Sequence, residues 1–145
     1  MRPARSAAAL LGLLLLVGCT SSSGDAAPAG PRVPAEKDFK DGTCASLALD
    51  VIAIGQAIPR LGSGGDVDQN VKVSLRDAQN RIFAVTEAAE PAIKPALDEL
   101  VVKIGIVRVR ADGNTYERSL GDLLIKAYDG VLDVCTGEGV APSPS

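Results

Sequence analysis

This 145-residue chain contains no histidine, so the candidate residues for catalysis or metal binding are its carboxylates, its serines and its three cysteines. Histidine is the commonest general base and the commonest metal ligand, so its absence removes the simplest route to acid–base or metal chemistry. No serine stands in a G-x-S-x-G context. Asp50 has no evident catalytic partner, and Asp98 and Glu99 are typical of a solvated helix face. We therefore expect a protein that is not an enzyme and that holds no cofactor.

The acidic stretch from Asp66 to Asp77 is the segment that invites a metal interpretation. Asp66, Asp68 and Asn70 occupy the first, third and fifth positions of a calcium loop. The sixth position is Val71, where an EF-hand needs glycine for its turn, and the twelfth is Asp77 instead of glutamate. We therefore predict that Asp66 or Asp68 caps a helix, and we expect no metal site.

The first cysteine ends an apolar run of 11 residues, Ala7 to Val17, which follows Arg2 and Arg5. A membrane-spanning helix needs about 20 apolar residues, so this run fits the core of an export signal. Its end, Leu16-Val17-Gly18-Cys19, resembles the lipobox of bacterial lipoproteins. The resemblance implies that a signal peptide, residues 1–18, is removed and that Cys19 carries a diacylglyceryl group. The protein would then be anchored in the cell membrane, facing the extracytoplasmic side.

Two stretches without a hydrophobic period flank the centre of the chain. Residues 19–40 are rich in Ser, Ala, Pro and Gly, which is typical of a flexible tether, and residues 136–145 are typical of a disordered tail. Residues 41–135 would form one small domain. Without residues 1–18 the chain has 13 basic against 18 acidic residues, a net charge of −5. We therefore expect no nucleic-acid partner.

Hydrophobic spacing predicts four helices, at about residues 43–58, 68–89, 95–111 and 115–135. The second helix has the clearest stripe, with apolar residues every three or four positions from Val71 to Ala89. Asp41 or Thr43 is expected to cap the first helix. Aromatic residues make up 3% of the sequence, so the core should consist of Ala, Val, Leu and Ile. Short links between the helices favour an all-α, up-down-up-down four-helix bundle.

The stretch Val101–Arg110 leaves an alternative open. Its many β-branched residues, with Asp112-Gly113 next, are compatible with a β-hairpin near residues 101–119, which would make the domain α+β. Helix is favoured because Asn114 and Glu117 match a capping box for the fourth helix.

The predicted bundle would bring the two remaining cysteines close together. In an up-down-up-down arrangement the start of the first helix and the end of the fourth lie at the same end. Cys44 and Cys135 occupy these two places. Because an exported domain folds in an oxidising compartment, we predict that Cys44 and Cys135 form a disulfide.

Two apolar residues fall outside the predicted stripes and are candidate contact residues. Phe83 lies on the charged side of the second helix, and Leu49 lies off the main stripe of the first. The sequence therefore favours a non-enzymatic module that binds another protein or a component of the cell wall. The alternative is a carrier of a small apolar ligand or lipid between the helices, since few large side chains are available to fill the centre.

Overall fold

The computed structural model describes residues 30–137, which are mostly helical. Four α-helices follow one another along the chain: α1 Thr43–Ala57, α2 Gln69–Thr86, α3 Lys94–Asp112 and α4 Arg118–Thr136. One 3₁₀ turn, Ile58–Leu61, extends α1, and another, Glu36–Asp38, precedes it. The prediction of four helices is confirmed, and no predicted helix end is more than three residues from the observed one.

The core lies between helices that pack on their neighbours in sequence. α1 packs against α2, α2 against α3 and α3 against α4, and α4 also contacts α1. The stripe predicted for α2 is buried from Val71 to Ile82, and its last residues, Val85 and Ala89, are half-buried. The side chains without exposed surface are aliphatic apart from one tyrosine, and the larger ones are Val51, Ile54, Val71, Ile82, Leu97, Leu100, Ile104, Leu124, Tyr128 and Val131.

The stretch Val101–Arg110 lies inside α3, so the alternative of a hairpin near residues 101–119 is wrong. Strand pairing occurs elsewhere, between β1, Gly64–Gly65, and β2, Tyr116–Glu117, which run antiparallel with Gly65 opposite Tyr116. The prediction of an all-α domain therefore missed a small sheet. This sheet joins segments that are distant in sequence, and neither segment is long enough to show a strand pattern.

The end of α3 uses a residue that the sequence assigned to the next helix. Asn114 adopts a left-handed conformation with φ 53°. The N–H groups of Asn114 and Thr115 donate to the carbonyls of Ala111 and Arg110 over 3.2 and 2.8 Å, which is the Schellman pattern of a helix C-terminus. The predicted capping box is therefore wrong, because Asn114 closes α3 and α4 begins only after Glu117.

The start of α1 is capped from a distant part of the chain. The residue before the helix is Gly42 with φ 84°, and neither Asp41 nor Thr43 provides the predicted cap. Instead, the Glu90 carboxylate accepts hydrogen bonds from the Thr43 N–H, over 3.3 Å, and from the Thr43 hydroxyl. The bond from the Thr43 hydroxyl is the main cause that lowers the pKa of Glu90, and backbone N–H groups add to it.

Cys44 and Cys135 form the predicted disulfide, with 5.3 Å between their Cα atoms. Cys44 lies in the first turn of α1 and Cys135 in the last turn of α4. The bridge joins residues that are 91 positions apart. In the loop-entropy model, closing a loop of that length stabilises the fold by at most about 4–5 kcal/mol.

Residues 30–40, which the sequence assigned to the tether, pack against the helices. Phe39 is buried, and the Tyr128 hydroxyl of α4 donates to the Arg32 carbonyl over 2.7 Å. Burial raises the pKa of Tyr128 to about 12, so this hydroxyl keeps its proton at neutral pH. The packed part of the chain therefore begins earlier than predicted, and a tether from Cys19 would be shorter.

Several predicted features lie outside the described residues. They include the signal peptide at residues 1–18, the lipobox with Cys19, and residues 138–145 of the predicted tail. Thr136, which the sequence placed in that tail, is the last residue of α4. Gly137 follows it in a left-handed conformation with φ 71°, so the tail would begin after this residue.

Candidate functional site

Phe83 and Leu49, the two predicted contact residues, are exposed on different helices. Phe83 on α2 has 63% of its surface exposed, and Leu49 on α1 has 66%. α2 faces α1 through Arg81, whose Nε donates to Asp50 Oδ1 over 2.5 Å. Two residues turn a helix by about 200°, so Phe83 lies on the flank of α2 away from α1. The structure therefore does not bring Phe83 together with Leu49.

The other flank of α2 is joined to α3 through Gln79. The Gln79 side-chain amide donates to the Val101 carbonyl over 2.8 Å and accepts a hydrogen bond from the Arg108 guanidinium. The helices approach closely here, because a Cβ on Gly105 would lie 2.9 Å from Gln79 Nε2. Phe83 follows Gln79 by one helical turn, so it lies on the flank of α2 beside α3.

α3 exposes three further apolar side chains, Val102, Ile106 and Val109, which the sequence analysis did not single out. Val109 is 72% exposed. Their spacing of four and three residues places them along one line on the helix. At about 100° per residue, this line lies nearly opposite the buried residues of α3, which are Leu97, Leu100, Ile104, Val107 and Ala111. We refer to Phe83, Val102, Ile106 and Val109 as the apolar surface.

The sequence did carry a signal for the apolar surface. A helix with two apolar faces produces an almost continuous apolar run, and a buried strand produces the same pattern. The run Val101–Arg110 is such a stretch. The residues that suggested a hairpin therefore mark a helix with one face in the core and one face in solvent.

Charged side chains of both signs border the apolar surface. Asp98 and Glu99 are exposed about one turn before Val102, and Arg110 is exposed at the other end. Asp98 makes an exposed ion pair with Lys94 over 3.4 Å, as expected for a solvated face. An apolar centre with a charged border is the usual composition of a protein–protein interface.

α1 with its 3₁₀ extension, Thr43–Leu61, is long and apolar enough to be considered as a membrane span, with a mean hydropathy of 1.4. However, 56% of its most apolar 18-residue stretch is buried inside the protein. A buried core helix meets the same criteria of length and composition, so the segment is weak evidence for a span.

A cleft of about 390 Å³ lies near the end of α1 and the start of α4, away from the disulfide. Its apolar wall includes Ile58, Pro59 and Ile125. In the carrier alternative, an apolar ligand would lie in the space between the four helices. The cleft lies at a different position.

The polar side of the cleft contains Tyr116, Arg118 and Asp122. Tyr116 is only 3% exposed. Burial raises the pKa of its hydroxyl, the Asp122 carboxylate raises it further, and the Arg118 guanidinium opposes the rise. The Tyr116 hydroxyl therefore remains a hydrogen-bond donor at neutral pH.

The candidate calcium loop is used for capping. The Asp68 carboxylate accepts from the N–H groups of Asn70 and Val71 over 2.9 and 3.3 Å, which confirms the predicted cap of α2. Within residues 30–137, no group of three or more His, Cys, Asp and Glu side chains could hold a metal ion. No protein-family model, curated protein or solved structure matches the chain.

Proposed function

We propose that this chain is a bacterial lipoprotein, anchored in the cell membrane through Cys19, whose extracytoplasmic domain binds another envelope protein without catalysing a reaction. The observation that carries the binding role is the apolar surface on α2 and α3. The anchor rests on the lipobox resemblance of Leu16-Val17-Gly18-Cys19.

The disulfide supports an extracytoplasmic location. Disulfides persist in oxidising compartments and are rare in the bacterial cytosol, and Cys44 and Cys135 are bridged. Two of the three cysteines are thereby used, and Cys19 is left for the lipid. From Cys19 to Gly30, a fully extended chain would span at most about 35–40 Å, which would hold the domain close to the bilayer.

We further infer that the four helices form an up-down-up-down bundle. Short connections between consecutive helices favour antiparallel neighbours, and the links at residues 87–93 and 113–117 are short. The contact of α4 with α1 and the disulfide between their ends support the same arrangement. The apolar surface would then lie on the outside of the α2–α3 pair.

A protein explains the apolar surface better than a bilayer or an anionic wall polymer does. Anionic lipids and polymers attract clusters of basic residues. The apolar surface has Asp98 and Glu99 at one end, and the chain carries a net charge of −3. A partner with an apolar centre and charges of both signs at its border would match it.

Site-specific photocrosslinking in intact cells would test the binding role. A photoreactive amino acid at Val109 should give one discrete adduct, whereas the same group at Leu49, which is about equally exposed, should give none. Ile106→Asp should remove the Val109 adduct because it puts a charge in the centre of the surface. An equal adduct from Leu49, no adduct, or an adduct of twice the chain's own mass would contradict this proposal.

Detergent phase partition would test the anchor separately. The chain with Cys19 should enter the detergent phase and incorporate radiolabelled palmitate, while Cys19→Ser should do neither. Lys37→Ala, an exposed change outside the lipobox, should behave like the unchanged chain. Equal partition of the Cys19→Ser variant would show that the chain is not held by lipid on this residue.

A further inference from the structure

The Tyr116 side chain is buried, but its hydroxyl opens into the cleft. Tyr116 is 3% exposed and lines the cleft. Within residues 30–137 the hydroxyl forms no hydrogen bond to a protein group. Since no buried side-chain polar atom of these residues lacks a partner, the hydroxyl is accessible to solvent in the cleft. A methyl group on Gly121 would overlap the hydroxyl oxygen, so this oxygen lies directly against the start of α4. Such a donor is available to a ligand in the cleft, which would replace water as its partner.

Two opposite charges stand beside this hydroxyl without pairing with each other. Arg118 and Asp122 line the cleft, and among the described residues neither takes part in an ion pair. They are four residues apart with the cation first, which is the weaker order for a helical pair, and their Cβ atoms are about 5–6 Å apart. Both charges act on Tyr116.

The start of α4 adds hydrogen-bond donors on the side of Arg118. The residue before the helix, Glu117, makes no side-chain cap. The first N–H groups of an uncapped helix lack partners and carry partial positive charge. A carboxylate would therefore find the guanidinium, the Tyr116 hydroxyl and these N–H groups at one end of the cleft, and a cation would find Asp122 beside them.

The rest of the cleft is apolar and of limited size. Ile58, Pro59 and Ile125 form a wall without charge. The volume of about 390 Å³ is near the lower end of the range for small-molecule pockets. The occupant should therefore be a small molecule with a short apolar part.

We propose that this cleft binds an α-amino acid with an apolar side chain. The carboxylate would accept hydrogen bonds from Tyr116 and Arg118, the ammonium would pair with Asp122, and the side chain would contact the wall at Ile58. A phosphate suits the cleft less well, because Asp122 repels its second negative charge. This site shares no residue with the apolar surface or the lipobox, so the inference does not depend on the proposed function.

Calorimetric titration of the protein extracted from membranes in mild detergent would test the ligand class. The probes are leucine, 4-methylpentanoate, isoamylamine and inorganic phosphate, each raised to millimolar concentration. Leucine should bind to one site. 4-Methylpentanoate is leucine without the ammonium and isoamylamine is leucine without the carboxylate, so each should bind at least about 10-fold more weakly, as expected when one charged hydrogen-bonding group is lost.

Variants would show whether the named side chains hold the ligand. Tyr116→Phe should raise the Kd for leucine about 3- to 10-fold, the effect of one neutral hydrogen bond. Its unfolding midpoint should stay the same, because no protein group loses a partner. Arg118→Gln should raise the Kd about 10- to 100-fold, whereas Lys126→Gln, on the same helix but outside the cleft lining, should leave it unchanged.

Three outcomes would overturn this inference. The first is no saturable binding of leucine. The second is binding of 4-methylpentanoate or phosphate as tight as that of leucine, which would make the site a simple anion site. The third is leucine binding that Tyr116→Phe and Arg118→Gln leave unaltered, which would place the ligand elsewhere.

Discussion

α2 and α3 are neighbours of nearly equal length, 18 and 19 residues, but they distribute their apolar residues differently. α2 buries one stripe, and Phe83 is the large apolar side chain that it exposes. α3 also buries one stripe, and it exposes Val102, Ile106 and Val109 on its opposite side. One helix therefore has a single apolar face and the other has two.

The difference separates what folding requires from what it does not. The buried stripe of α3 removes apolar surface from water, which is the main favourable term in folding. The exposed stripe of α3 leaves 40–72% of each side chain in water, so it contributes much less to folding and lowers solubility. The second face therefore needs an explanation outside the fold, and contact with a partner supplies one.

The sharpest test of this difference compares two isoleucines on α3. Ile104 has no exposed surface, while Ile106 is 40% exposed. Ile104→Ala should lower the free energy of unfolding by about 2–5 kcal/mol, through lost burial and a cavity. Ile106→Ala should cost no more than about 1 kcal/mol, because only part of this side chain is covered. Urea unfolding of both variants measures this, and similar losses would mean that α3 does not have one buried and one exposed face.

A second prediction concerns how α2 is held on the α1 side. Arg81→Met leaves the Asp50 carboxylate, which is 7% exposed, without its partner. The loss should be about 1–2 kcal/mol, at the low end for a charged hydrogen bond because the Arg81 side chain is largely exposed.

Arg76→Met is the matched control for the Arg81 variant. Arg76 pairs with the neighbouring Asp77 on the surface, so its replacement should change the free energy of unfolding by no more than about 0.5 kcal/mol. Adding Asp50→Asn to Arg81→Met should recover part of the lost free energy of unfolding, because it removes the unpaired charge. If the Arg81 and Arg76 variants unfold at the same urea concentration, the contact between α1 and α2 does not depend on this pair.

A third prediction concerns the C-terminal end of α3. α3 ends at Asn114 in a left-handed conformation, which glycine adopts freely and alanine does not. Asn114→Ala should therefore cost about 1–2 kcal/mol, whereas Asn114→Gly should be nearly neutral. Thermal unfolding of both variants distinguishes them. A loss of the same size for Gly would show that the Asn114 side chain matters more than its backbone conformation.

The contrast between α2 and α3 also explains how far the sequence could predict the fold. The stripe of α2, the Asp68 cap and the disulfide depend on local spacing or on a small number of cysteines, and each was predicted. α3 was ambiguous because residues from Val101 to Arg110 belong to two faces that the sequence merges into one run. Burial, which separates the faces, depends on the neighbouring helices.

Features that join distant segments could not be predicted. Glu90 caps α1 from 47 residues away, and Tyr116 pairs with a glycine of the loop after α1. Neither contact leaves a periodic pattern in the sequence. The candidate sites follow the same rule: Phe83 was found because it interrupts a polar face, whereas the cleft around Tyr116 depends on segments that meet only in the fold.

The last and smallest expected effect concerns Glu90, in the connection between α2 and α3. Its pKa is lowered in the folded protein, mainly by the hydrogen bond from the Thr43 hydroxyl. A lowered folded-state pKa means that the carboxylate stabilises the fold above its unfolded-state pKa, and that this contribution is lost as the pH falls through the folded-state value. Glu90→Gln should therefore be less stable than the unchanged chain at pH 7, and the gap should close in acid.

Thr43→Val should show the same dependence on pH, because it removes the donor instead of the acceptor. Glu87→Gln is the control, because the Glu87 carboxylate makes only an exposed ion pair with Lys94 over 3.8 Å, and its loss should change the free energy of unfolding by no more than about 0.5 kcal/mol. Urea unfolding at a series of pH values measures all three. A Glu90→Gln deficit that stays constant into acid would show that the side chain caps α1 through its shape and neutral hydrogen bonds, because a constant deficit does not depend on its ionisation.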